Sequence, residues 1–305
     1  MTGRKLQRAF ARESKGARGE IQLFRAFIRA FRALGPDALA LEYHGSRYQV
    51  TFNQGRGAGR PFPRCELCDV LIVHYQEGSP SAARMTFNQA KVTTNSLGCS
   101  APLKAPGHQS FKANMEQWDL LSNCPPIRPA TKTFHPPGDL LSSAVLPSVG
   151  TFGVFYPVHN RYDFAYFVAS ELSPIAVSPS RQGTLQWKHA LNAIRTIAGH
   201  EEITGTCCLH TFGGALEKNL IGTPIRPLLT GSTGIPMRGW LAKVLVSLRD
   251  AYPDSDLPRE LLMGLELGID AEGQNPMRYI GDAAPPKAVV LIRTKREENR
   301  ETMRS

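Results

Sequence analysis

The 305-residue sequence has no long apolar run. Its apolar stretches are short, such as Val70 to Val73 and Ala288 to Ile292, of four and five residues, whereas a membrane-crossing helix needs about 20. The first residues are basic but carry no apolar core segment, so they do not read as a secretory signal. An apparent core helix follows at once, which argues against an organelle transit peptide. Only six cysteines are present, too few in a chain of this size without a signal to read as a disulfide framework. They are expected to be free thiols in a reducing, cytoplasmic compartment. Cys65 and Cys68 form a lone C-x2-C, half of what a structural zinc site requires. Cys207, Cys208 and His210 crowd together without that spacing. The segment "HEEITGTCCLH" lacks the helical His pair of a metalloprotease, and "GRGAGR" lacks the Lys-Ser/Thr that completes a phosphate loop. No internal repeat and no long linker is visible.

Acidic residues are scarce where basic ones are dense. The first 64 residues hold thirteen Lys and Arg against four Asp and Glu, so +9 of the chain's +10 sits in its first fifth. Such a segment suits a polyanion, most commonly a nucleic acid. Hydrophobic residues make up 42% and charged residues 20%, enough for a sizeable core.

Residues 1–18 show no clear apolar period and read as a flexible basic N-terminus. From Gly19 to Leu34, Phe24, Phe27, Ile28, Phe31 and Leu34 share one helical face, and Arg25, Arg29 and Arg32 take the other. "LGPD" stops this helix. Two strands follow near 67–75 and 84–93, joined by a turn in "EGSPSAA". A helix is expected over 109–121, two aromatic-rich strands in "TFGVFYPVHNRYDFAYFVAS", and a helix over 185–198. Further helices are expected at Trp240 to Arg249 and Pro258 to Leu267, and a late strand in "AVVLIRT". The reading is an α/β core over residues 19–180, a mostly helical C-terminal extension over 181–293 packed on it, and a disordered polar tail over 294–305.

The two early strands carry polar residues where a core should be. Side chains alternate along a strand, so Gln89 and Lys91 share a face as β-structure leaves its packed section. If the two strands pair as a hairpin, Asp69 near the start of one lies beside Lys91 near the end of the other. Glu20 precedes Phe24, Phe27 and Phe31 by 4, 7 and 11 positions, so it falls on the apolar helix face, where a carboxylate requires a partner. Glu66, three residues from Asp69, is assigned to the opposite strand face and set aside.

Glu20, Asp69 and the run Gln89-Ala90-Lys91, in the order helix, strand, strand, resemble the PD-(D/E)XK or restriction-endonuclease-like nuclease superfamily, over roughly residues 19–121. Gln89 stands where the commonest form has Glu or Asp; Mrr-like and archaeal-resolvase-like branches are known for such a Gln. The resemblance implies a mixed central sheet flanked by helices and Mg²⁺-dependent hydrolysis of phosphodiester bonds, with Mn²⁺ as a substitute. It implies metal ligands from Asp69, Glu20, Gln89 and the Ala90 carbonyl, and Lys91 beside the scissile phosphate. DNA is the expected substrate, in restriction, repair or anti-phage defence. Arg18, Arg25, Arg29, Arg56 and Arg60 are candidate phosphate contacts, and Gln117 on the second helix is a candidate site neighbour. The other reading is a non-cleaving nuclease fold that binds nucleic acid or acts as a scaffold. A homodimer or a partner protein on the C-terminal half is compatible with either.

Overall fold

Val70, Leu71, Ile72, Val73 and Tyr75 are consecutive or nearly so, and all are fully buried. A strand of this kind must be covered on both faces. The computed structural model describes residues 2–43, 49–53, 62–95, 97, 99, 110–131, 135–176, 181–187, 189–268 and 287–295, and in it this strand sits inside a mixed sheet.

Two helices open the chain, α1 (Thr2–Glu13) and α2 (Gly19–Arg32). Next come β1 (Ala38–Glu42), β2 (Gln49–Phe52), β3 (Arg64–Glu66), β4 (Val70–Gln76), β5 (Ser79–Val92) and β6 (Ser110–Asn114), then α3 (Met115–Asn123) and β7 (Ile127–Pro129). β8 (Gly150–Val158), β9 (Arg161–Val168), β10 (Leu172–Pro174), β11 (Gln182–Trp187), β12 (Ile194–Ile197), β13 (His200–Ile203) and β14 (Gly205–Thr206) lead to α4 (Leu209–Glu217). β15 (Thr223–Pro224), α5 (Gly231–Ala251), α6 (Leu257–Gly264) and β16 (Ala288–Thr294) follow.

The main sheet runs β1-β16-β4-β5-β8-β9-β14, with β15 added to β5. The β16–β4 and β5–β8 pairs are parallel and the others antiparallel. On one face, Val70, Ile72, Phe155, Phe164 and Val290 pack with Phe10 of α1, the Phe24, Phe27 and Phe31 stripe of α2, and Phe212 of α4. On the other, Leu71, Val73, Phe87 and Leu291 pack with Trp118 of α3, Trp240 and Leu245 of α5, and Leu261 of α6. This is an α/β architecture with a mixed central sheet between helices, as the sequence predicts.

Five expectations about the elements are corrected. Residues 2–13 are helical rather than flexible: Leu6, Ala9 and Phe10 lie at i, i+3 and i+4 and are buried, while Arg4, Lys5 and Arg8 are exposed. The Phe10 ring stacks on Phe155 at a centroid distance of 5.6 Å. Gly3 lets α1 lie directly on α4, since a Cβ there would stand 2.2 Å from the His210 carbonyl oxygen.

Residues 185–198 form parts of β11 and β12 rather than a helix. Asn192 (φ 62°) and Ala198 (φ 49°) adopt left-handed conformations that interrupt any helix there. The helix expected over 109–121 is β6 followed by α3, which starts where the Asn114 side chain accepts a hydrogen bond from the Glu116 N–H (2.9 Å). Residues 181–293, expected as a mostly helical addition packed on the core, carry α4, α5 and α6 but are also woven into the sheets. They supply five further short strands, and β16 inserts between β1 and β4 in the main sheet. Thr294, assigned to the tail, belongs to β16; residues 296–305 lie outside the described residues.

The cysteines differ as well. Cys99 and Cys207 are joined in a disulfide, and Cys65, Cys68, Cys124 and Cys208 are free. The thiol argument for a reducing compartment therefore lapses. No described helix is long and apolar enough to cross a membrane.

Two measurements check these assignments. Phe10→Ala should destabilise the fold by about 3–5 kcal/mol in urea melts, the cost of emptying a core aromatic site; a change near zero would return α1 to a dispensable arm. Alkylation of the unfolded protein should label four thiols without reductant and six after reduction. Reduction should also lower stability, by up to about 5 kcal/mol in the chain-entropy limit for so long a loop.

Candidate metal and phosphate site

The site begins with a register. β4 and β5 pair with Val70 opposite Asn88, which sets Asp69 opposite Gln89. The Asp69 N–H donates to the Asn88 carbonyl (3.1 Å). Its carboxylate is buried, and Oδ2 accepts from the Gln89 amide nitrogen and from the Ala90 N–H (2.9 Å). An acid at position 89 would repel Asp69 here, whereas an amide can donate to it. The remaining amide oxygen, Gln89 Oε1, is buried and has no hydrogen-bond partner. In an extended strand a residue's N–H and C=O point to the same side. The Ala90 carbonyl therefore faces the Asp69 side as its N–H does.

α2 delivers Glu20 from its first turn. The Phe24, Phe27 and Phe31 stripe fixes the helix on the sheet, and this carries Glu20 to the end where β4 starts and β5 finishes. Lys91 is buried, and its Nζ lies 3.4 Å from Glu20 Oε1. The anticipated Asp69–Lys91 pairing thus resolves into two contacts, Asp69 with Gln89 and Lys91 with Glu20.

Two further residues complete the cluster. Lys287 Nζ lies 3.2 Å from Asp69 Oδ1 and 3.9 Å from Glu66 Oε2. Glu66 was set aside on strand alternation, and the structure corrects this. β3 ends at Glu66 and Leu67–Asp69 form a turn before β4, so parity does not carry across. Lys287 had no sequence motif. It arrives because β16 runs parallel to β4 with Val289 opposite Leu71, which sets Lys287 beside Asp69.

The cluster adjoins a cavity of about 240 Å³ lined by Glu20, Arg25, Glu42, Asp69, Ala90 and Lys287, among others; Glu66, Gln89 and Lys91 are not among its lining residues. That space suits a hydrated ion and part of a phosphate rather than a large ligand. Burial pushes the Glu20 carboxyl above the ordinary glutamate value; Lys91 opposes this and the Asp69 charge adds to it. Burial likewise raises Glu66, against Lys287 and with Asp69. Burial works against the Lys287 ammonium, yet Asp69 and Glu66 hold its pKa above the usual lysine value.

The arginines divide. Arg25 is exposed on the cavity rim, and Arg18 is exposed just before α2. Arg29 is clasped to α1, its Nε 3.1 Å from Glu13 Oε2 and its guanidinium 3.3 Å from the Glu13 carbonyl. Arg32 donates to the Ala40 carbonyl (2.8 Å). Part of the basic excess is therefore spent on holding helices in place. Arg56 and Arg60 lie outside the described residues. Gln117 is buried on α3 and does not line the cavity.

Comparison with protein-family models, with curated proteins and with solved structures returns no match. The chemistry of the cluster must therefore speak for itself. Its donors are oxygens: the Glu20, Glu66 and Asp69 carboxylates, an unpartnered amide carbonyl and a backbone carbonyl. By donor type such a set suits a hard divalent cation, although Glu20, Glu66 and Asp69 do not bring three carboxylate oxygens within 4.8 Å of one another. Among the described residues Cys99, Cys207 and Cys208 do come that close, but the disulfide leaves that group a single thiol.

The raised Glu20 pKa has a testable sign. The folded state favours the neutral carboxyl, so the stability this group contributes is present below its unfolded pKa and is lost as pH rises through the folded value. Glu20→Gln should raise the melting temperature in EDTA at pH 7, and its advantage should shrink as the pH falls and wild-type Glu20 takes up its proton. A variant less stable than wild type at pH 7 would show that the Lys91 contact outweighs burial.

Proposed function

We propose that this chain is a divalent-metal-dependent nuclease that hydrolyses phosphodiester bonds of DNA. One observation carries the reading. A buried aspartate, an amide with an unpartnered carbonyl, a helix-borne glutamate and a buried lysine meet at one end of a mixed sheet, beside an open cavity. The order of these residues along the chain is that of the PD-(D/E)XK nucleases which the sequence resembles.

Mg²⁺ is the expected ion, and Mn²⁺ should replace it, since both accept oxygen donors in a small site. Asp69 Oδ1, Gln89 Oε1, the Ala90 carbonyl and Glu20 would hold it. When bound, such an ion lowers the pKa of a coordinated water and offsets charge on a phosphate oxygen. Asp69 Oδ2 positions the Gln89 amide and the Ala90 peptide, which fixes the ligand set before any ion arrives. Lys91 keeps an ammonium within reach of Glu20, where it can donate to oxygens on which charge grows. Arg25 lines the cavity and Arg18 is exposed just before the helix that carries Glu20, and both suit flanking phosphates.

A second reading has one observation in its favour. Lys287 already neutralises part of the acid cluster, as it would in a nuclease fold that binds nucleic acid without cutting it.

Plasmid, linear duplex and single-stranded DNA, incubated with Mg²⁺, Mn²⁺ or EDTA, separate the two. Cutting should require the metal and should fall by about 100-fold or more in Lys91→Ala and in Asp69→Asn, with circular dichroism spectra unchanged. Undiminished cutting by both variants would remove these residues from the site. Salt-sensitive DNA retention without cutting would favour the second reading.

A further inference from the structure

The two oxygens of Asp69 have different surroundings. Oδ2 is turned toward β5, where it accepts the Gln89 amide and the Ala90 N–H. Oδ1 is turned toward β16, where the Lys287 ammonium holds it at 3.2 Å. Oδ1 is therefore the oxygen left for a cation, and a cation belonging to the chain already sits on it. The same ammonium lies 3.9 Å from Glu66.

This placement is fixed by the backbone on both sides. The β16–β4 register aligns Lys287 with Asp69, and the Tyr43 N–H donates to the Lys287 carbonyl at 2.8 Å. The side chain is not fixed in the same way. Lysine is a point charge on a flexible four-carbon stem, and this one is 40% exposed at the cavity wall. Its ammonium can leave Asp69 while its backbone stays paired.

Charge balance points the same way. With every group ionised, Glu20, Glu42, Glu66 and Asp69 bring four negative charges, and Arg25, Lys91 and Lys287 bring three positive ones. Withdrawal of Lys287 leaves a net charge of −2 around the cavity, which matches one divalent cation. We propose that Lys287 is the resident counter-cation of this site. It holds the acid cluster together in the metal-free protein and competes with a divalent ion for Asp69 Oδ1, so that metal affinity is set by an internal competitor. This inference rests on the metal-binding reading given above.

The test uses the full chain and measures metal binding rather than cleavage. Mn²⁺ affinity is read from the electron paramagnetic resonance signal of free Mn²⁺ for wild type, Lys287→Met and Asp69→Asn. Lys287→Met keeps the apolar stem and removes the charge, and it should bind Mn²⁺ at least about tenfold tighter than wild type. In EDTA it should melt at a lower temperature than wild type, and saturating Mn²⁺ should close that gap. If Lys287→Met does not fold, Lys287→Gln, which keeps a neutral donor, is judged by the same criteria.

Equal or weaker Mn²⁺ binding by the Lys287 variant, with binding lost in Asp69→Asn, would overturn the competitor role and leave the metal site standing. Binding unaffected by Asp69→Asn, or absent from wild type and the Lys287 variant alike, would overturn both.

Discussion

A carboxylate buried at the mouth of a central strand is the constraint around which this molecule is arranged. Removing a charge from water costs several kcal/mol unless hydrogen bonds or an opposite charge replace the solvent. Asp69 meets that demand from two directions, with an amide and a peptide N–H from β5 on one side and an ammonium at the head of β16 on the other. The strands that supply these groups are the two that flank β4 in the sheet. Satisfying the acid and closing the sheet are therefore one event. The site is not an ornament on a finished core, because its hydrogen bonds lie at the end of the same ladders that bury Val70 to Tyr75.

Local pattern made much of this architecture readable. β4 and β5 announce themselves by apolar density, α2 by its phenylalanine stripe, and β8 and β9 by aromatic alternation around a turn. Elsewhere the signal misleads. In α1 only Leu6, Ala9 and Phe10 mark the buried face, and arginines surround them. Trp187, Leu191, Ile194 and Ala198 fall at helical spacing by coincidence, and left-handed Asn192 and Ala198 break the chain into strands. The Cys99–Cys207 bond spans a sequence separation of 108, and sequence alone cannot pair cysteines across such a distance.

The site divides along the same line between local and distant. Glu20, Asp69, Gln89 and Lys91 were legible because helical and strand periods place them, and because a hairpin brings three of them to one end. Glu66 was lost to a parity argument that holds within a strand and fails across a turn. Lys287 was invisible for a deeper reason. Nothing in "KAVVLIRT" reveals its neighbour, and only the parallel β16–β4 register sets it 218 residues away from its partner. The glutamine at position 89 becomes intelligible only once Asp69 is seen to accept from it.

The position of β16 has a consequence for how the protein comes into being. β1 is made well before its partner among the described residues, the strand spanning Ala288–Thr294. A nascent chain emerging at about 5–20 residues per second must keep β1 and one edge of β4 open until that strand has been made. Contacts of such sequence separation close late and slowly. Until they do, Asp69 lacks its ammonium and the cavity lacks a wall. The chain would thus emerge from the ribosome with its acid cluster incomplete, and the cluster would close only when Ala288–Thr294 takes its place in the sheet.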